Sequence, residues 1–359
     1  MNGLALPLRD RLLGFFQGHD RKDGHLLELD GVRACSIFLV LASHLLPLGP
    51  SALRLNETAG LMGMSLFFCL SGFLITSFLW IRPEVKPFLI RRAARILPLL
   101  YLYAALTMLV LSWRPEAFWA TLTFTLNYND AAFDRGVQWI GHLWSLGVEG
   151  HFYIAIALAI GLFGRRGFWL VPVAAVAVLA MRIHDGAYVS TRTHLRVDEI
   201  LSGSVLALWW LNRNRVGPGG QGWPALDRWI GRLLPVFCVL WLMSCSKFFG
   251  PVMYLRPWFA MLTIASVMRL ATDSKLRRVL SGPFLGYIAT TSYAIYIWHG
   301  LFAQPLLKGG GLAVKYLINR PVTFAATFLV SHLSTFHFEQ FFVDWARRFT
   351  TRRRQGPTP

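Results

Sequence analysis

The sequence predicts an all-α polytopic membrane protein: a bundle of about ten transmembrane helices with both termini on the cytoplasmic side. Composition, the lengths of the apolar stretches and the distribution of the cations carry this reading. Of the 359 residues, 55% are hydrophobic and only 15% charged, where soluble domains carry about 25% charge. Tryptophan and phenylalanine are abundant, at 14 and 27 residues, as expected of a chain with many lipid-facing and interfacial positions.

Ten apolar stretches approach the length needed to cross about 30 Å of hydrocarbon. They run over 32–48, 61–81, 96–113, 140–163, 168–183, 199–212, 233–246, 257–270, 284–304 and 321–343, the sixth to eighth being short. The first 28 residues are polar, with Arg9, Arg11, Arg21 and Lys22 among them, so no cleavable signal peptide is expected. Gly217 to Gly222, "GPGGQG", is expected to be a flexible loop. Neither an internal repeat nor a low-complexity tract stands out.

The net charge is +18. With a cytoplasmic N-terminus, 24 of the 36 cations fall in inner segments and 11 in outer ones, and Arg33 opens the first span. That asymmetry follows the positive-inside rule. The charge therefore reads as topology and contact with anionic membrane lipids, and a nucleic-acid partner is excluded. The cysteines Cys35, Cys69, Cys238 and Cys245 lie in apolar stretches without metal-binding spacing. They are expected to be buried small apolar residues, and no metal is expected.

Polar residues inside apolar spans carry the chemistry. "LDGVRACSIFLVLASH" places Arg33 and His44 eleven residues apart. Eleven residues make three helical turns plus about 20°, so both lie on one face, about 16 Å apart along the axis. Such a stripe faces a bundle interior or a water-filled cavity, or else is a snorkelling arginine plus a histidine bonded between helices. "HLWSLGVEGHFYIAIALA" embeds Glu149 at the depth of His44. A carboxylate beside an imidazole raises its basicity and fixes its tautomer, as a general base needs. The nearby His142 and His151 read as interfacial or structural. The loop "IRPEVKPFLIRRAARILP" carries five cations, with Arg92 and Arg95 three residues apart. It is either a lipid-anchoring basic loop or a phosphate clamp, since guanidinium binds phosphate bidentately.

These residues and their order resemble the acyltransferase-3 family of integral membrane O-acyltransferases. The likeness runs from about Leu29 to Phe342. It rests on the opening arginine–histidine motif, "GMSLFFCLSGFLIT" (Gly63 to Thr76), "RRAARILPLLY", "HLWSLGVEGHFY", "LRVDEILSG" (Leu195 to Gly203) and "TSYAIYIWHG" (Thr291 to Gly300). Two motifs depart from the family pattern. Ser65 stands where an acid is usual, and Gly150 and His151 replace the usual neighbours of Glu149.

The resemblance implies a membrane enzyme that moves an acyl group, most often acetyl, from cytoplasmic acyl-CoA to a hydroxyl of a sugar or glycan acceptor. Family members acylate lipopolysaccharide, peptidoglycan, exopolysaccharide, lipo-oligosaccharide and macrolide sugars. It implies a multi-pass protein of the bacterial inner membrane, with a cytoplasmic segment over 1–28, an acyltransferase-3 transmembrane domain over 29–343 and a basic tail over 344–359. The closing "WARRFTTRRRQGPTP" resembles the stand-alone type, without an appended hydrolase-like SGNH domain. His44 and Glu149 are then the catalytic pair. Arg33, Arg92, Arg95 and Ser71 are assigned to the donor, although Ser71–Gly72 also suits helix packing. Tyr153, Trp144 and His299 are assigned to the acceptor, although His299 also suits a helix–helix hydrogen bond. Asp198 and Glu199 after Arg196 are expected to form a local ion pair. The rival class is a transporter or flippase for a polyprenyl-linked sugar, with Arg33, His44 and Glu149 lining its path.

Overall fold

The computed structural model describes residues 27–111, 113–129, 138–213, 229–270, 275–303 and 314–352. The polar segment before residue 27, the "GPGGQG" loop and the tail from 353 lie outside the described residues. Nearly every described residue is helical, and no strand occurs among them. The all-α class expected from the composition is therefore observed.

The longer helices of the described chain are α1 Leu27–Leu45, α2 Leu55–Ile81, α3 Val85–Val110, α4 Pro115–Leu122, α5 Trp144–Phe163, α6 Leu170–His184, α7 Asp198–Asn212, α8 Leu234–Cys245, α9 Arg256–Leu270, α10 Lys275–Leu280, α11 Pro283–Phe302, α12 Arg320–Leu333 and α13 Gln340–Arg352, and the single turn Gln138–Gly141 precedes α5. Short 3₁₀ and π segments join several of them. Among the described residues, three helical runs are long and apolar enough to cross a membrane: Ser51–Ile81, Val85–Val110 and Trp139–His184. The last spans 46 residues and is interrupted by the 3₁₀ turn Gly164–Trp169. A fourth crossing is counted if α8 and the segment after it, bent by 117°, form one broken span. Ten crossings would require the shorter helices to cross as well.

The basic stretch read as a loop is helical from Val85 onward, and Arg91, Arg92 and Arg95 lie inside α3. Pro87 sits in the first turn, where its missing N–H costs nothing. Only Pro98 is interior to the helix. Arg92 and Arg95 are therefore on one helix surface in fact.

The described chain divides into two compact units. The first comprises residues up to Glu84, Leu158–Ser190 and His194–Ala289; the second comprises Val85–Ala157, Thr191–Thr193 and the chain from Thr290 onward. The first has a core built from α1, α2, α7, α8 and α9, with Leu29, Phe73, Leu206, Trp241 and Ile264 among its buried residues. Its tightest seam is α2 against α7. A Cβ on Gly72 would collide with Ile200 O, and one on Gly203 with Cys69 O. Small residues let the two backbones approach, as in membrane helix pairs. Trp241 Nε1 donates to Ser65 Oγ at 2.8 Å, so the serine at the departing motif position serves as a buried acceptor. After α8 the chain turns at Gly250, whose φ of 40° suits glycine.

The cysteine expectation holds for two of four residues. Cys69 and Cys245 are buried, whereas Cys35 is exposed and Cys238 half-buried. Apolar surroundings in the sequence do not say which face of a helix meets the core.

The second unit contains α3, α4, the start of α5, the end of α11 and the continuous run from α12 to α13. That run passes through a π-helical segment at Ser334–Glu339. Tyr293 Oη donates to Ile96 O at 2.7 Å and ties α11 to α3.

Candidate active site

The second unit gathers most of the expected site residues. α5 presents Glu149 and Tyr153 one turn apart, and the Tyr153 hydroxyl donates to Glu149 Oε2 at 2.9 Å. Glu149 is buried, at 4% exposure. Arg92 of α3 lies 5.6 Å from the Tyr153 ring centroid and 5.8 Å from that of Phe88. The guanidinium is also within electrostatic reach of Glu149 and Arg95. Cation, phenol and carboxylate thus form one connected group, with the phenol between the charges. Arg95, one turn further along α3, is half-buried. Trp144 opens α5 and is half-buried.

His299 stands on α11 at 1% exposure. Its Nδ1 lies 2.6 Å from Tyr296 O. A carbonyl only accepts, so Nδ1 carries a proton, and in the neutral ring Nε2 then presents the lone pair. The same argument applies to His142, whose Nε2 lies 3.1 Å from Ile297 O. The two rings are 4.8 Å apart between centroids. Gly300 makes room for this pair, because a Cβ there would overlap the His142 ring. Tyr296 Oη bonds His142 O and lies 2.6 Å from Ser145 Oγ. This His299 bond lies within its own helix. His142, expected to be interfacial or structural, reaches α11 through its bond to Ile297 O.

Arg33, His44 and Ser71 belong to the first unit. Arg33 is half-buried and His44 exposed, so neither is enclosed in that unit's apolar core. Ser71 is buried on α2, one residue before the Gly72 seam.

Two functional-looking residues escaped the sequence reading. Asp198 and Glu199 do not simply pair with Arg196. Arg182 of α6 bonds Asp198 and also donates to Tyr188 O at 3.0 Å. Arg256, the first residue of α9, donates from Nε to Glu199 Oε1 at 2.6 Å, while Arg196 Nη2 lies 3.3 Å from Glu199 Oε2. All five side chains are buried. The available signal was that Arg182 and Arg256 each sit within an apolar stretch or at its edge, where a charge demands a partner.

Taken together, the helical architecture, the crossing-length apolar helices and a buried group of guanidinium, phenol and carboxylate define a membrane protein with a polar site among its helices. The acyltransferase-domain family model matches residues 26–336, and the chain belongs to that family. Among similar proteins are the peptidoglycan O-acetyltransferase OatA of Listeria monocytogenes, 25% identical over 85% of this chain and 54% of its own, and the putative peptidoglycan O-acetyltransferase YrhL of Bacillus subtilis, 28% identical over 76% and 47%. A putative O-acetyltransferase of Staphylococcus aureus is 26% identical over 78% of this chain and 51% of its own. The chain spans about half the length of these curated relatives. No solved structure matches it.

Proposed function

We propose that this protein is a membrane O-acetyltransferase that moves an acetyl group from acyl-CoA on the cytoplasmic side to a sugar hydroxyl of a surface glycan. Peptidoglycan is the first acceptor to test, because two of the similar proteins bear it in their names. The observation that carries the reading is the grouping of Arg92, Tyr153 and Glu149, with Arg95 beside it, in an acyltransferase-domain chain. Arg92 and Arg95 meet the donor phosphates, with Arg33 and Ser71 along the donor path. His44 takes the proton of the acceptor hydroxyl, and the oxygen attacks the thioester carbonyl. As the tetrahedral intermediate collapses, the carbon–sulfur bond breaks and the imidazolium returns its proton to the departing thiolate. Glu149 is the proposed counter-charge of that imidazolium. His299 accepts a hydrogen bond from the acceptor sugar, which Trp144 and Tyr153 flank. The expected placement is a bacterial inner membrane crossed about ten times, with both termini inside.

A second reading, a carrier of a polyprenyl-linked sugar, draws on the 117° break between α8 and the segment after it, since broken helices are common at transporter sites. One assay separates the two. Purified protein in lipid nanodiscs should transfer radiolabelled acetyl from acetyl-CoA to a muropeptide or oligosaccharide. His44→Ala should lower the rate by roughly 10² to 10⁴, the worth of a general base, while the protein accumulates normally. Wild-type protein that flips a lipid-linked sugar but labels no acceptor would establish the carrier instead.

A further inference from the structure

Glu339 has no part in the reaction as proposed, and it lies past residue 336, where the family match ends. Its carboxylate is buried, at 6% exposure, on the π-helical segment Ser334–Glu339. A π turn adds a residue to a helix, and such turns are frequent at functional sites. This one is held firmly. Trp298 Nε1 donates to Ser334 Oγ at 2.7 Å, and Thr335 Oγ1 donates to Glu339 Oε1 at 3.3 Å. The segment packs against α3, the helix of Arg92 and Arg95. α13 continues along the same helix, where Arg91 Nε donates to Thr350 Oγ1 at 3.0 Å. The charges of Glu339 and Arg95 are within reach of each other, and both reach Tyr293. No ion pair joins Glu339 to Arg95 among the described residues. When ionised, the carboxylate offsets the arginine without occupying its donors.

We propose that Glu339 is the electrostatic counterweight of the donor site: it weakens the hold of Arg95 on phosphate so that the spent coenzyme can leave. The inference rests on the donor reading given above. Acyl-CoA and free CoA carry the same phosphates, so a clamp on those phosphates binds substrate and product alike. An unopposed clamp would trap the product, and release limits turnover in many enzymes. An ionised Glu339 near the clamp loosens both complexes equally.

The test is titration of coenzyme A into the full chain in lipid nanodiscs. Glu339→Gln should bind coenzyme A about tenfold tighter, the scale of one unit charge several ångströms away at intermediate dielectric. Product inhibition should tighten by the same factor, and the acceptor KM should stay unchanged. Glu339→Asp should bind as wild type. If the Gln variant does not accumulate, neutral Glu339→Leu carries the same expectation. In an Arg95→Ala background, which itself should weaken binding, Glu339→Gln should change affinity less than twofold. A purely structural Glu339 predicts weaker binding when neutralised. Unchanged or weaker binding in the neutral variants, or full tightening without Arg95, overturns the inference alone. Wild-type protein that does not bind coenzyme A, or Arg95→Ala that binds it as wild type does, overturns the donor reading and the inference with it.

Discussion

Tyr153 does two jobs with one side chain: its hydroxyl satisfies Glu149, and its ring face lies near Arg92. A cation over a desolvated ring is worth about 0.5–2 kcal/mol, enough to aim a long side chain. If Arg92 and Arg95 then clamp phosphate, replacing both with alanine removes two charge-assisted contacts of about 1.5–3 kcal/mol each. The apparent KM for acyl-CoA should rise at least tenfold, and lysine should restore it only in part, for want of bidentate geometry. Steady-state kinetics at varied donor would show this, and an unchanged KM would reduce the pair to a topogenic anchor. Glu149→Gln keeps shape and the Tyr153 bond but removes the charge. If Glu149 is the counter-charge of the His44 imidazolium, kcat should fall roughly tenfold or more. A Gln variant turning over at the wild-type rate would detach Glu149 from His44.

For the helices, the close approach of α2 and α7 depends on two glycines that leave no space for a side chain. Gly203→Leu must push the backbones apart, and overpacking of this kind costs about 1–3 kcal/mol or more. The variant should melt several degrees lower in detergent micelles. Gly161→Ala is the control, since nothing lies within 4 Å of its Cβ and α5 should gain helix propensity from it. Equal melting of both variants would mean that the seam does not limit stability.

Across the whole chain, segments distant in sequence are joined through charge. Arg182, Arg196, Asp198, Glu199 and Arg256 meet from three regions, burying three cations with two anions. Removing one partner of a buried pair leaves its mate uncompensated, at about 3–5 kcal/mol, whereas removing both is far milder. Glu199→Leu should therefore sharply lower thermal stability, and Glu199→Leu combined with Arg256→Met should recover part of the loss. Melting curves of the single and double variants test this coupling. Additive losses would show that the charges act independently.

The sequence by itself determined the helical class, the family and the pairs set by local periodicity. Arg92 with Arg95, and Glu149 with Tyr153, lie three and four residues apart, a spacing that puts side chains on one helix surface wherever the helix packs. Only the tertiary structure decided which face of each helix is buried and which partner it meets there. It showed Cys35 exposed, Trp241 bonded to Ser65, and Glu199 shared between Arg196 and Arg256. It also extended α3 over the basic stretch read as a loop. Helix periodicity is a property of neighbours along the chain. Rotation and crossing are set by packing against residues far along it, where small side chains such as Gly72 and Gly203 permit approach, and no local pattern encodes that choice.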